Sequence, residues 1–97
     1  MEDDAFYVKT KRTIGRGKAF LEQNFKTLGL RYIPSQANFI LVKVPIPAQE
    51  LYERMLRKGV IIRSMKSFGL DQFIRVNVGL PEENKKFLKA LRQELQL

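Results

Sequence analysis

From Glu2 to Leu28 the apolar positions Ile14, Leu21, Phe25 and Leu28 recur at steps of three, four and seven, the spacing of one long amphipathic helix. Gly29 follows, the residue type that most easily closes a helix in the left-handed conformation. Gly15 and Gly17 interrupt the pattern, each at a cost of about 1 kcal/mol against alanine. Either the helix bends there or another backbone packs close. Gly15-Arg16-Gly17 is not a phosphate loop, because no strand precedes it and the third glycine is missing.

The pattern then changes period. Arg31-Tyr32-Ile33 is a short strand candidate broken by Pro34, and Ala37 to Val44, rich in Phe, Ile, Leu and Val, is a stronger one. Its unbroken apolar run suggests a strand covered on both faces. Pro47 suits the first turn of a helix to Lys58 with Leu51, Met55 and Leu56 inward, and Gly59 caps it. Val60-Ile61-Ile62-Arg63 reads as the next strand and Ser64 to Gln72 as a loop. Phe73 to Val78 alternates, with Ile74, Val76 and Val78 toward a core and Arg75 on the opposite face. Pro81 opens a last helix whose first turn carries Glu82 and Glu83 and whose stripe is Phe87, Leu88, Leu91 and Leu95. The predicted fold class is α+β: a two-layer domain with a small mixed or antiparallel sheet and helices mainly on one face. The other sheet face lacks a cover.

Composition narrows the chemistry more than the fold. Ninety-seven residues make one domain, residues 1–97, of which 44% are hydrophobic. The chain has no cysteine and no histidine, which removes thiol nucleophiles, disulfides, the usual zinc ligands and the usual neutral-pH base together. The net charge of +8 is dispersed over predicted helix faces, so a solvated surface is expected rather than a nucleic-acid site. The longest apolar run, Phe39-Ile40-Leu41-Val42, cannot span a bilayer, and the acidic start Met1-Glu2-Asp3-Asp4 is unlike a signal peptide. A cytoplasmic protein with no membrane partner is the default expectation.

Five segments carry a resemblance. Tyr32-Ile33-Pro34-Ser35-Gln36-Ala37-Asn38-Phe39-Ile40-Leu41-Val42, Lys58-Gly59-Val60-Ile61-Ile62-Arg63-Ser64-Met65, Phe68-Gly69-Leu70, Ile74-Arg75-Val76-Asn77-Val78-Gly79 and Pro81-Glu82-Glu83-Asn84 with Phe87-Leu88 stand in one order and spacing. Together they resemble the carboxy-terminal small domain of histidinol-phosphate aminotransferases, within the pyridoxal-phosphate-dependent aminotransferase superfamily. Leu80 and Asn77 depart from the resemblance, since both positions usually hold threonine there.

The resemblance implies roles that periodicity cannot supply. Arg75 matches the arginine that pairs with the α-carboxylate of the amino-acid substrate, a task suited to a planar guanidinium on a rigid strand. Arg63 matches the residue expected to contact the phosphate of an imidazole phosphate ester, and Asn38 matches a position near the cofactor at the domain interface. No catalytic residue is expected in this chain. The cofactor implied for the intact enzyme is pyridoxal 5'-phosphate, held by a lysine of a large domain; none of the ten lysines here matches that lysine's motif. Met1-Glu2-Asp3 aligns with the start of the small domain, so the chain is expected to be an inactive fragment that binds no cofactor covalently. Its implied partners are the missing large domain, a small-molecule substrate and a second subunit of a homodimeric parent. From other classes, an RNA-binding module using Phe39 and Phe73 as stacking rings and a regulatory amino-acid-binding domain stay open. Within the enzyme reading, aromatic-amino-acid and threonine-phosphate aminotransferases are the rivals.

Overall fold

The alternation along Phe39 to Lys43 and along Phe73 to Asn77 sets the architecture, because both segments bury every second side chain under the helices. A computed structural model describes residues 2–34 and 38–97, with side chains from residue 12 onward. In chain order the elements are helix α1 (Glu2–Thr27), strand β1 (Tyr32–Pro34), strand β2 (Phe39–Lys43), helix α2 (Ala48–Arg57), strand β3 (Arg63–Ser64), a 3-10 turn (Lys66–Phe68), strand β4 (Phe73–Asn77) and helix α3 (Pro81–Leu95). The four strands form one sheet in the order β1-β2-β4-β3, antiparallel at every pairing. β2 and β3 therefore run the same way, with β4 inserted between them. The fold is the expected α+β layer, and its sheet is antiparallel rather than mixed.

The core lies between sheet and helices. Leu21 and Phe25 of α1, Leu51 and Met55 of α2, and Leu91 of α3 are fully buried, as are Ile40, Val42 and Ile74 from the sheet. Each such side chain contributes roughly 1.5–3 kcal/mol through removal from water. Phe25 links two edges of this core: its ring centroid lies 6.0 Å from that of Tyr32 and 6.2 Å, edge-on, from that of Phe87.

Gly17 is buried where α1 crosses the start of α3. A Cβ there would lie 2.8 Å from both Asn84 Nδ2 and Val78 Cγ1, so the close approach of another segment explains this glycine. Among the described residues nothing lies within 4 Å of a Cβ placed on Gly15, and none of them explains this glycine.

Several local expectations are corrected. Val60-Ile61-Ile62 do not pair in the sheet; the strand is Arg63–Ser64. The Val60 amide is donated back to the Met55 carbonyl at 3.0 Å, completing the cap of α2 around Gly59 at φ +77°, and Ile61 is left 77% exposed. Leu56 points outward at 47% exposure, because the buried line of α2 runs through Ala48, Leu51 and Met55 and the next residue is rotated about 100° away. Pro47 precedes α2 as its cap instead of lying in its first turn. Pro34 ends β1 without destroying it, since β1 is an edge strand that can spare a donor. β2 is buried on one face only: Ile40 and Val42 are sealed, whereas Phe39 and Leu41 are half-buried. Ala37, expected at the start of that strand, lies outside the described residues.

Two hydrogen-bonded devices join β4 to α3. The Leu80 amide is donated to Glu83 Oε1 at 3.0 Å, the half of a capping box that does not depend on the side chain at position 80. Asn84, buried to 3%, accepts from the Gly79 amide at 2.9 Å and donates to the Gly79 carbonyl at 3.0 Å. Both polar ends of the side chain are thereby satisfied against one residue's backbone.

Candidate functional site

The face of the sheet turned away from the helices is where the sequence-predicted residues meet. In β4, Ile74 and Val76 enter the core, so Phe73, Arg75 and Asn77 stand on the other side. The antiparallel register then aligns one residue from each strand into a row across the open face: Ile33, Leu41, Arg75 and Arg63. Phe39 opposite Asn77 and Lys43 opposite Phe73 form the adjoining rows. No aspartate or glutamate occurs in any of the four strands, so the cations of this face are Lys43, Arg63 and Arg75 without an acid among them.

Arg63 and Arg75 are direct cross-strand partners. Side chains so placed start about 5 Å apart at Cβ, and like charges there repel. Among the described residues the ion pairs lie elsewhere, between Arg54 and Glu50 and between Glu94 and both Arg54 and Lys58. The Arg75 guanidinium carbon sits 4.3 Å from the centroid of the Phe39 ring, a cation–π contact. Its Nε is buried and, among the described residues, has no hydrogen-bond partner. A buried charged donor left unpaired costs about 1–3 kcal/mol or more.

Asn38 lies one residue before β2, exposed, and its carbonyl accepts the Val78 amide at 2.8 Å. It stands at the Phe39 end of the sheet, toward which Arg75 leans. Arg63 is on the far side of β4, exposed. The sheet thus brings Arg75 and Arg63 face to face and sets Asn38 at the end of the neighbouring strand. What the sequence reading missed is Phe39 as the surface on which Arg75 lies. The relation is diagonal across two strands and needs the register to be seen. With Arg75 over one face of the ring, Phe39 is not a free stacking platform for a base.

An open sheet face with an opposed arginine pair can hold an anion bearing two charged groups, and the comparisons with known proteins bear on which. The sequence profile of class I and II aminotransferases matches residues 1–91. The chain belongs to that family. It is 43% identical over 97 residues to histidinol-phosphate aminotransferase 2 of Pasteurella multocida, covering all of this chain and 27% of that protein. It is 46% identical over 94 residues to the histidinol-phosphate aminotransferase of Symbiobacterium thermophilum, covering 96% of this chain and 26% of that one. The crystal structure of the histidinol-phosphate aminotransferase of Clostridium acetobutylicum superimposes with a TM-score of 0.88 at 26% identity, over 97% of this chain and 30% of its own. The chain therefore spans about a quarter of the length of the curated relatives it matches.

The family implies pyridoxal phosphate, whose aldehyde needs an enclosed lysine amine to hold it. Lys18 is half-buried on α1, and Lys26, Lys43, Lys58, Lys66, Lys85, Lys86 and Lys89 are exposed. These lysines do not fit a covalent cofactor site, and the cofactor's chemistry is not assigned to them. Among the described residues no cluster of carboxylates could hold a metal ion, and no helix is long and apolar enough to cross a membrane.

Proposed function

We propose that this chain is the carboxy-terminal small domain of a pyridoxal-phosphate-dependent aminotransferase that moves an amino group between glutamate and imidazole acetol phosphate. In this reading a large domain supplies the lysine and the cofactor, a second subunit completes a homodimer, and this domain supplies part of the substrate site. Arg75 takes the α-carboxylate, Arg63 the phosphate, and Asn38 borders the cofactor side. The observation that carries the reading is the Arg63–Arg75 pair on a sheet whose strands hold no acid, with Arg75 Nε buried and, among the described residues, unpartnered. Two opposed arginines repel unless something anionic lies between or beside them, and the substrate named by the relatives carries a phosphate.

The test is kinetic, in the full-length enzyme that carries this chain. Arg75→Lys keeps the charge but removes the fork that binds a carboxylate through two parallel bonds, and is expected to lower kcat/KM about 10- to 100-fold for every amino-acid substrate. Arg63→Ala is expected to raise KM for the phosphate ester while leaving KM for glutamate within about twofold, since a charge-assisted contact worth roughly 1.5–3 kcal/mol is lost from one substrate alone. An equal loss for both substrates would remove the division of labour. The separate 97-residue chain mixed with pyridoxal phosphate and borohydride should yield scattered surface adducts; one stoichiometric lysine adduct would overturn the reading.

A further inference from the structure

We infer that Phe39 is the positioning residue of Arg75, and that it holds the Arg75 guanidinium away from Arg63 so that the two arginines serve two separate anionic groups. The inference rests on the proposed substrate role of Arg75. It follows from strand order. β4 lies between β2 and β3, so a side chain of β4 that leans over β2 leans away from β3. Arg75 is registered against Leu41 on β2 and against Arg63 on β3, yet its guanidinium carbon lies 4.3 Å from the centroid of the Phe39 ring, one row along on β2. The head has therefore moved diagonally, toward β2 and away from its like-charged partner.

Two forces agree in that placement. Arg63 repels Arg75, and the negative face of the Phe39 ring attracts it. The ring is half-buried and fixed by a central strand, so the guanidinium rests against a rigid plane rather than a mobile surface. Arg75 Nε is sealed with no partner among the described residues, which leaves the terminal Nη groups as the edge able to meet a carboxylate. Without the ring, Arg75 would be free to swing back toward Arg63, and a single small anion could then bridge both. Phe39 acts through Arg75 and needs no contact with substrate.

The experiment uses the full-length, cofactor-loaded enzyme with Phe39→Leu, Phe39→Tyr and a series in which residue 39 is replaced by mono-, tri- and pentafluorophenylalanine. Fluorination drains the negative face of the ring at nearly constant shape. The expected result is a stepwise rise in KM for glutamate across the series, reaching about tenfold in Phe39→Leu, with kcat within about twofold and Phe39→Tyr near wild type. Inorganic phosphate should inhibit Phe39→Leu more strongly than wild type, because the freed arginines can share one anion. A flat response to fluorination overturns the positioning role even if Phe39→Leu fails to fold. Unchanged phosphate inhibition in a folded Phe39→Leu overturns the separation of the two subsites. The cost of Phe39→Leu should also shrink in an Arg75→Lys background, and an undiminished cost would show that Phe39 does not act through Arg75. If Arg75→Lys alone leaves KM for glutamate unchanged, the failure belongs to the underlying substrate reading.

Discussion

Arg63 and Arg75 oppose each other across β3 and β4 on a face whose strands contain no acidic residue. A sheet selected for stability alone would place a carboxylate or a threonine opposite Arg75. The pair instead places two positive charges on adjacent strands of one sheet face. Charge concentrated in this way raises the local concentration of an anionic ligand before any contact forms.

That arrangement should cost stability. Arg63→Thr removes the repulsion and places a good strand former on a two-residue edge strand. It is expected to raise unfolding free energy by a few tenths up to about 1 kcal/mol at low ionic strength. The gain should fade as salt is added, because the repulsion between exposed charges is screened over roughly 10 Å at 0.1 M. Urea unfolding of the chain at low and high salt checks this, and a gain that does not depend on salt would point to strand propensity as its whole cause.

Gly15 and Gly17 make a matched pair. Both lie inside α1 and both should gain about 1 kcal/mol of helix propensity on mutation to alanine. Gly17→Ala would place its Cβ 2.8 Å from Asn84 Nδ2 and Val78 Cγ1, whereas Gly15→Ala meets nothing within 4 Å among the described residues. The expected signs are opposite: Gly15→Ala stabilises by up to about 1 kcal/mol, and Gly17→Ala destabilises by roughly 1–3 kcal/mol, the usual range for overpacking. Thermal unfolding of the two variants beside wild type decides it, and a stabilised Gly17→Ala would show that the α1–α3 crossing yields easily.

The contrast between these glycines marks the limit of what local pattern encodes. Their cost to the helix is legible in the chain; which of them meets another segment is not, since Val78 and Asn84 arrive from distant elements. Arg75 behaves similarly. Alternation with Ile74 and Val76 is enough to direct its side chain away from the core. Its neighbours Arg63 and Phe39 depend on β4 inserting between β2 and β3, which is a tertiary choice. Val60-Ile61-Ile62 reads as a strand by composition, yet the Val60 amide is consumed by the cap of α2 and pairing begins only at Arg63. Leu56 misleads for a local reason, because a leucine beside Met55 on a short helix looks inward until the buried line through Ala48 and Leu51 is known.

Asn84 offers a test of the junction between the strand bearing Arg75 and the last helix. Its side chain satisfies both the amide and the carbonyl of Gly79, and it is 3% exposed. Asn84→Leu fills similar space but orphans both of those groups, at an expected cost of about 2–4 kcal/mol. Asn84→Asp keeps the acceptor and loses the donor, so it should also destabilise, with a carboxylate facing the Gly79 carbonyl. Asn77→Ala, at an exposed position on β4, serves as the control and should change stability by less than about 0.5 kcal/mol. Urea titration of the three variants is sufficient. A cost below that of the control in Asn84→Leu would mean that Gly79 finds water in place of the amide.

Leu80 carries the remaining expectation, that the first turn of α3 can be improved by one substitution. The position precedes the helix in extended conformation, φ −66° and ψ 157°, which is the backbone a capping serine adopts. Glu83 already accepts the Leu80 amide, so half of a capping box is in place; the missing half is an oxygen at position 80 to accept the Glu83 amide. Leu80 is 61% exposed, and its removal forfeits little burial. Leu80→Ser is therefore expected to stabilise the chain by about 1 kcal/mol, which for a domain of this size raises Tm by roughly 4–8 °C. The same substitution in a Glu83→Ala background should gain less, because the two side chains hold the turn reciprocally. Calorimetric melting of the four proteins checks both statements, and a Leu80→Ser variant that melts no higher than wild type would show that the serine hydroxyl does not complete the cap.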